Sequence, residues 1–262
     1  MILDNNSRTV WHGDRDKFMA AIVAPVRFQK ILFPIFAFNY EISRIAFQTS
    51  EPALAEIKLK WWEEELTSIR KNNFSNKHEI LASLSEIIIT NNIPIQLFIE
   101  IIRARRFDIY NDSHNSFEDQ VHYIKQIFSS LFEICLHASP SLLDKNQIIC
   151  VRDYGYALGV ANLLVALPAL VVAGKKPLFI ERTQEESIKK ITESGLQALL
   201  DGRRQFKYYD FELRPILLSA CNINSILFKV LKNPKLVLQN KVRPSSLHKG
   251  VKLLLARLGG GI

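Results

Sequence analysis

Two aspartates spaced four residues apart are the first side chains in this sequence that could do chemistry. Asp108 and Asp112 bound the stretch DIYND. On a helix this spacing puts both carboxylates on one face, where they could hold Mg²⁺ that bridges a diphosphate. Three arginines precede the stretch, at Arg103, Arg105 and Arg106. Because a guanidinium can bind phosphate oxygens through two parallel N–H groups, these residues are candidates for binding a diphosphate.

A simpler explanation of the same stretch is also open. Asn111, Asp112 and Ser113 are residue types that commonly end a helix, and an aspartate in such a turn is usually solvated. The arginines are equally compatible with a solvent-exposed helix face. The spacing alone favours this structural interpretation over a metal site.

Other motifs of known mechanism are missing from the sequence. It contains no P-loop, no dinucleotide-binding glycine pattern and no nucleophile elbow. The histidines do not cluster, and no carboxylate or cysteine completes a ligand set; they are His12, His78, His114, His122, His137 and His248. The three cysteines, at Cys135, Cys150 and Cys221, lack the spacing of a zinc or redox site, which predicts buried free thiols.

Composition and charge narrow the class of protein. The chain has 262 residues, of which 48% are hydrophobic, and ten Gly and ten Pro are few for a β-sandwich or barrel. Long apolar segments at helical spacing predict an all-α fold, with one domain over 1–262. The net charge of +8 is spread along most of the chain, and no groove-entering motif is present. We therefore expect no nucleic-acid partner.

Apolar periodicity and capping residues predict the helices that must position any site. The expected segments are 14–50, as a helical hairpin or a bent long helix that Pro25 and Pro34 limit or kink; 51–70; 78–92; 94–110; 116–138, with a Ser-x-x-Asp start; 154–174; 183–207; and 213–233. A loop is predicted at 72–77. The range 235–262 is predicted to be a basic tail or a last helix, which could either pack on the bundle or contact an anionic membrane surface.

The stretch from Tyr154 to Gly174 contains no charged residue. About twenty apolar residues can cross a bilayer as a helix, and Gly155 and Gly159 form a GxxxG pair of the kind seen in membrane helix dimers. Pro168 interrupts the stretch. A membrane span and a buried helix of a soluble bundle are the two interpretations of this pattern.

Three segments resemble the squalene and phytoene synthase family, in that family's order and spacing. They are DRDKFMAAIVAPVRFQKILFPIFAFNYEISRI, SEPALAEIKLKWWEEEL and ARRFDIYND, and the resemblance extends over about 14–207. It implies an isoprenoid-synthase-like helical bundle with a central cavity. Enzymes of the family join two prenyl diphosphates head to head, with Mg²⁺ held by two aspartate-rich motifs that neutralise the leaving pyrophosphate.

The register of this resemblance implies that both motifs are degenerate. In the first, Ser43 or Arg44, and then Phe47, stand where aspartates are expected. In the second, the pattern's asparagine is retained at Asn162, a candidate substrate contact, whereas its arginine and aspartates are replaced by Val165, Ala166 and Leu170. The resemblance therefore predicts no metal site, no assigned catalytic residue and no cofactor. Asp108 and Asp112 belong to another helix and are not expected to substitute.

The stretches FAFNYEISRI, SEPALAEIKLKWW and ALPAL resemble a branch of the family with degenerate aspartates, which includes a mitochondrial complex I assembly factor. The branch implies a non-catalytic scaffold in the bacterial cytoplasm or mitochondrial matrix. Such a scaffold would bind a prenyl diphosphate or prenyl lipid, or assist assembly of a membrane respiratory complex. The alternative is an active, Mg²⁺-dependent head-to-head prenyl transferase that uses Arg105, Arg106, Asp108 and Asp112 as unfamiliar ligands.

Overall fold

A computed structural model describes residues 4–71, 78–110, 112–139 and 144–258, with 71 and 207–212 described by their backbone alone. The loop expected at 72–77 lies outside these ranges. The described residues contain α-helices and no strand. The helices are α1 (Asn5–Gly13), α2 (Arg15–Val23), α3 (Val26–Arg44), α4 (Pro52–Ser68), α5 (Glu79–Thr90), α6 (Ile95–Arg105), α7 (Phe117–Ile124), α8 (Ser130–His137), α9 (Lys145–Val172), α10 (Gln184–Leu217), α11 (Ile223–Lys232), α12 (Lys235–Leu238) and α13 (Ser246–Arg257).

The two N-terminal prolines act differently. Pro25 separates α2 from α3, because the extended conformation of Ala24 before it ends the helix. Pro34 lies inside α3, where it removes one backbone hydrogen bond. Phe36 and Phe38 are among the fully buried side chains of this helix, so its packing outweighs that loss. Of the alternatives that the sequence left open, Pro25 therefore limits a helix, whereas Pro34 is accommodated within one.

Several of the predicted helices have different bounds in the structure. The helix expected over 154–174 begins at Lys145, and the helix expected over 183–207 extends to Leu217. The helix expected over 94–110 ends at Arg105 and tightens into the 3-10 turn Arg106–Asp108, a common way for an α-helix to finish. The helix expected over 213–233 is instead the end of α10, the 3-10 turn Leu218–Ala220 and α11. The φ angle fixed by Pro215 is compatible with a helix, so α10 continues past it for half a turn.

The uncharged stretch forms most of α9, the central helix of the bundle. All eight residues from Tyr154 to Ala161 are buried. Gly202 of α10 lies against Tyr154, and Gly195 lies against Val160, so α10 runs antiparallel to α9 along its length. By length and composition α9 and Leu213–Lys232 could cross a membrane, but half of each apolar window is buried within the protein. Burial on several sides accounts for the missing charges of α9 without a bilayer.

The glycines of α9 accommodate a π-helical segment, Lys125–Ser129, that joins α7 to α8. This segment interrupts the single long helix that the sequence predicted over 116–138. A Cβ on Gly155 would lie 2.5 Å from the carbonyl oxygen of Phe128, and Ser129 Oγ donates a 2.7 Å hydrogen bond to the Arg152 carbonyl. The GxxxG pair therefore serves close helix packing inside this chain.

One hydrophobic core runs through the described residues, from Val10 in α1 to Ala256 in α13. The three cysteines lie within it as free, buried thiols, as the sequence predicted. Burial raises the pKa of the Cys150 thiol to about 12 and that of Cys221 to about 11. The nucleophilic thiolate is therefore scarce at neutral pH.

We expect Gly155→Ala to lower the free energy of unfolding by about 2 kcal/mol, because the added methyl group meets backbone that cannot rotate away. Chemical denaturation of both proteins measures the change. Gly250→Ala is the matched control, since a Cβ at this helical position has nothing within 4 Å. It should be neutral or gain up to about 1 kcal/mol from helix propensity. Equal effects at the two positions would contradict the packing argument.

The pH dependence of stability tests the α9–α10 contact. Burial, followed by the charge of Asp201, raises the pKa of Asp153 to about 6. The folded protein then binds more protons than the unfolded chain between about pH 4 and pH 6, so this group lowers stability as pH rises through that window. Asp153→Asn should add about 1–2 kcal/mol at pH 7 and almost nothing at pH 3.5. A gain of the same size at both pH values in thermal denaturation would refute this assignment.

Candidate functional site

A cavity of about 390 Å³ opens among the end of α3, the turn after α6, helix α7, the second half of α9 and the connection that follows it. Most of its lining is apolar, and five of these side chains are Phe107, Ile124, Phe128, Leu163 and Leu170. Cavities of about 300–1,000 Å³ are typical of small-molecule sites. This cavity is therefore the candidate ligand site of the fold.

Four of the five altered motif positions meet at this cavity. Ser43 and Phe47 contribute from the end of α3 and the 3-10 turn after it, and Ala166 and Leu170 contribute from α9. The hydroxyl of Ser43 is already committed, since it donates a 2.8 Å hydrogen bond to the Tyr40 carbonyl. The fifth position, Val165, does not line the cavity and packs against the core. The walls contributed by these positions are therefore neutral.

Asn162 also lines the cavity, from α9. It lies one turn before Ala166, so the two share a face of the helix. This places the retained polar residue of the second motif beside the apolar ones. Asn162 therefore lies at the candidate ligand site, and its role as a substrate contact stays a prediction.

A buried ionic cluster lies beside the cavity. Asp108 Oδ2 accepts a 2.9 Å hydrogen bond from Arg105 Nη1, and its Oδ1 accepts a 2.5 Å bond from the Tyr123 hydroxyl. The side chains of Arg105 and Asp108 are each 14% exposed. Burial and the negative charge of Asp108 raise the pKa of Tyr123 far above its ordinary value, so the phenol keeps its proton. Both oxygens of Asp108 are therefore engaged within the protein.

Burial opposes the charge of the Arg105 guanidinium, but Tyr123 and Asp108 outweigh that effect and raise its pKa. The ion pair is therefore permanently charged. Lys175 also binds Asp108, since its ammonium donates a 2.9 Å hydrogen bond to the Asp108 backbone carbonyl. The cluster ties the turn after α6 to α7 and to the connection between α9 and α10.

Arg106 does not join the other candidates. Its guanidinium pairs with Glu56 at 3.1 Å and with Glu63 at 2.9 Å, both on α4, and Arg103 also bonds to Glu63 at 3.0 Å. Successive residues of a 3-10 turn point about 120° apart, so neighbouring arginines can face opposite directions. The diphosphate-binding role expected of Arg106 is therefore not supported by its position.

Asp112 lines the cavity together with Asp108, although the two are not on one helix face, since the regular helix ends at Arg105. Of the two interpretations that the sequence left open, the favoured one, a helix that ends near this stretch, agrees with the structure, and the paired carboxylates on one helix face are not formed. Among the described residues, no group of three or more His, Cys, Asp or Glu side chains could hold a metal ion. Mg²⁺ requires near-octahedral oxygen ligands. The altered motif positions are neutral, and the carboxylate of Asp108 is already hydrogen-bonded within the protein, so these residues do not fit that requirement.

Several residues that line the cavity were given no binding role by the sequence analysis. Arg44, Lys175 and Lys176 line the cavity, and their positive charges surround a largely apolar space. His114 is 6% exposed and stacks on Phe107 with ring centroids 4.3 Å apart. Burial lowers the pKa of His114, so the imidazole is neutral at pH 7. The two lysines that follow the uncharged stretch could have indicated an anion-binding site from the sequence, whereas an isolated histidine could not.

Removing Arg105 tests the ionic cluster. Arg105→Met should lower the free energy of unfolding by about 3–5 kcal/mol, because Asp108 is left buried without its positive partner. The double variant with Asp108→Asn should recover part of that loss. Arg103→Met is the control, and should cost less than about 1 kcal/mol because that guanidinium is mostly exposed. Denaturation of these variants and of Asp108→Asn alone gives the comparison, and a loss in the double variant equal to the sum of the two single losses would refute the coupling.

Two proteins that are similar to this chain in sequence carry the same name. NADH dehydrogenase (ubiquinone) complex I, assembly factor 6 of Mus musculus is 19% identical, and the match covers 90% of this chain and 77% of that protein. The Homo sapiens protein of the same name is 18% identical over the same shares.

Solved structures share the fold. A dehydrosqualene synthase in complex with ligand superposes with a TM-score of 0.77 at 13% identity, covering 97% of this chain and 94% of the other. Squalene synthase HpnC from Alicyclobacillus acidocaldarius gives a TM-score of 0.73 at 16% identity, covering 88% and 93%. The all-α isoprenoid-synthase-like fold expected from the sequence is thereby confirmed. The family model for squalene/phytoene synthase matches residues 10–178, more than half of the chain, and the chain therefore belongs to the squalene/phytoene synthase family.

Proposed function

We propose that this chain is a binding protein that holds one prenyl lipid with an anionic head group, and that it does not condense two prenyl diphosphates. The observation that carries this proposal is the composition of the cavity. The side chains of Ser43, Phe47, Ala166 and Leu170 on its wall are neutral, whereas the pattern of the family predicts metal-binding aspartates at these positions. A site of this kind favours direct contact with an anion over contact through Mg²⁺.

The cavity suits the two parts of such a ligand. Aromatic and aliphatic walls, including Phe107, Phe128 and Leu163, can cover a prenyl tail and remove it from water. Lys175 and Lys176 can hold phosphate oxygens by charge-assisted hydrogen bonds. The volume of about 390 Å³ is at the lower end of the range for ligand sites, which supports one lipid rather than the two that a condensation requires.

We further propose that the lipid-bound chain assists assembly of a membrane respiratory complex, in the bacterial cytoplasm or the mitochondrial matrix. The support is the name of the related mouse and human proteins. The match extends over most of this chain, so the relationship concerns the whole bundle and not a short motif.

The active-enzyme alternative has one observation in its favour. Asp108 and Asp112 both reach the cavity, although the sequence assigned them to a different helix from the second motif. Asp112 could meet a cation there, with Arg105 already neutralising Asp108. This alternative requires turnover that depends on Mg²⁺ and on Asp112.

Calorimetric titration of the purified chain with farnesyl diphosphate, with and without Mg²⁺, tests the proposal. We expect binding in both conditions and about a tenfold or greater loss of affinity in Lys175→Ala/Lys176→Ala, since charge-assisted contacts are removed. The matched control is Lys189→Ala/Lys190→Ala, another adjacent pair of lysines, on α10, which does not line the cavity.

The same samples are then assayed for pyrophosphate release. Release with formation of a condensed hydrocarbon product, abolished by Asp112→Asn, would establish the enzymatic alternative. Absence of binding in both conditions would reject the lipid-binding proposal, as would equal losses in the two lysine variants.

A further inference from the structure

Helix α13 is held on the bundle by one face. Leu253 and Ala256 are buried, and Lys249 Nζ lies 2.6 Å from the carboxylate of Asp16 on α2. The guanidinium of Arg214, near the end of α10, donates to the Ala256 carbonyl. These contacts fix which side of α13 turns outward.

The outward face of α13 is a stripe of large aliphatic side chains. The stripe consists of Leu247, Val251, Leu254, Leu255 and Leu258, which are between 53% and 84% exposed. At 100° per residue these positions fall within an arc of about 100° on the helix. The helix is therefore amphipathic, yet its apolar arc faces away from the core. A contiguous exposed apolar surface of this kind marks an interaction site.

The charge of the whole chain is concentrated in the segment that carries this helix. Residues 213–262 contain nine of the 34 Lys and Arg residues and none of the 26 Asp and Glu residues. The rest of the chain has one more acid than base. The expectation that positive charge is spread along the chain is therefore wrong. On α13 itself, Lys252 and Arg257 lie on opposite sides of the stripe, each about 110° from its centre.

We propose that the outward face of α13 docks on the anionic surface of a lipid bilayer. Leucine and valine would enter the boundary between head groups and acyl chains, while Lys252 and Arg257 remain at the level of the anionic head groups. The stripe has no Trp, Tyr or Arg within it, and these are the residues that usually anchor protein–protein contacts. A second copy of the chain is disfavoured, because pairing two such faces would bring like charges together.

This docking surface is separate from the cavity. Arg214, which holds α13, is near the C-terminal end of α10, whereas Lys175 and Lys176 of the cavity precede its N-terminal end. Because α10 has 34 residues, the two sites are near opposite ends of a helix of about 50 Å. Membrane docking can therefore succeed or fail independently of ligand binding.

Vesicle sedimentation with the full chain tests the proposal. We expect the protein to pellet with vesicles of phosphatidylcholine and phosphatidylglycerol, to bind much less to phosphatidylcholine alone, and to dissociate as salt is raised. Val251→Glu/Leu254→Glu should weaken binding to the anionic vesicles by about tenfold or more. The matched control is Ile57→Glu on α4, another exposed aliphatic position, which should bind like the unmodified chain. Thermal denaturation confirms that each variant is folded.

Four outcomes would overturn the proposal: no binding to anionic vesicles, equal binding to neutral ones, binding that the α13 variant retains, or equal loss in the Ile57 variant. Sedimentation equilibrium addresses the competing occupant. If the unmodified chain forms a dimer and does not bind vesicles, and if Val251→Glu/Leu254→Glu is monomeric, the face is a contact between two copies of the chain. Farnesyl diphosphate binding by the α13 variant should equal that of the unmodified chain, which separates this test from the function proposed for the cavity.

Discussion

The close approach of α9 to the π-helical segment Lys125–Ser129 is the packing constraint on which the rest of the structure depends. Gly155 lets the backbone at Phe128 approach to a distance that a Cβ would forbid. That contact sets the position of α7 and α8 relative to α9, and with it the position of Tyr123 and Phe128 beside the cavity. The site is therefore shaped by a backbone contact outside it.

The polar groups beside the cavity mainly stabilise the fold. Asp108 uses its carboxylate for Arg105 and Tyr123 and its carbonyl for Lys175. These bonds satisfy a buried charge that would otherwise be costly. The rest of the cavity wall is mainly apolar, with further cations at Arg44 and Lys176. The ionic cluster thus forms part of the cavity wall while satisfying its own charges within the protein.

The sequence predicted the helical fold and named part of the cavity lining, but not the direction of individual side chains. Apolar periodicity and the order of the family-like segments sufficed to locate α9 and the altered positions that line the cavity, because register along a helix determines its faces. Arg105 and Arg106 are adjacent in sequence yet point to different partners, since the helix ends between them. The exposure of the aliphatic stripe of α13 could not be predicted from the sequence either, because a periodic pattern does not reveal which face of a helix packs on the bundle.

The neutral walls at Ser43, Phe47, Ala166 and Leu170 have a consequence for the empty protein. A site lined by several facing carboxylates repels itself electrostatically until a divalent cation arrives. These four positions add no negative charge, so they contribute none of that repulsion, and the acids that line the cavity are Asp108 and Asp112. On the function proposed above, the folded state would therefore need no divalent ion to relieve repulsion at these four positions.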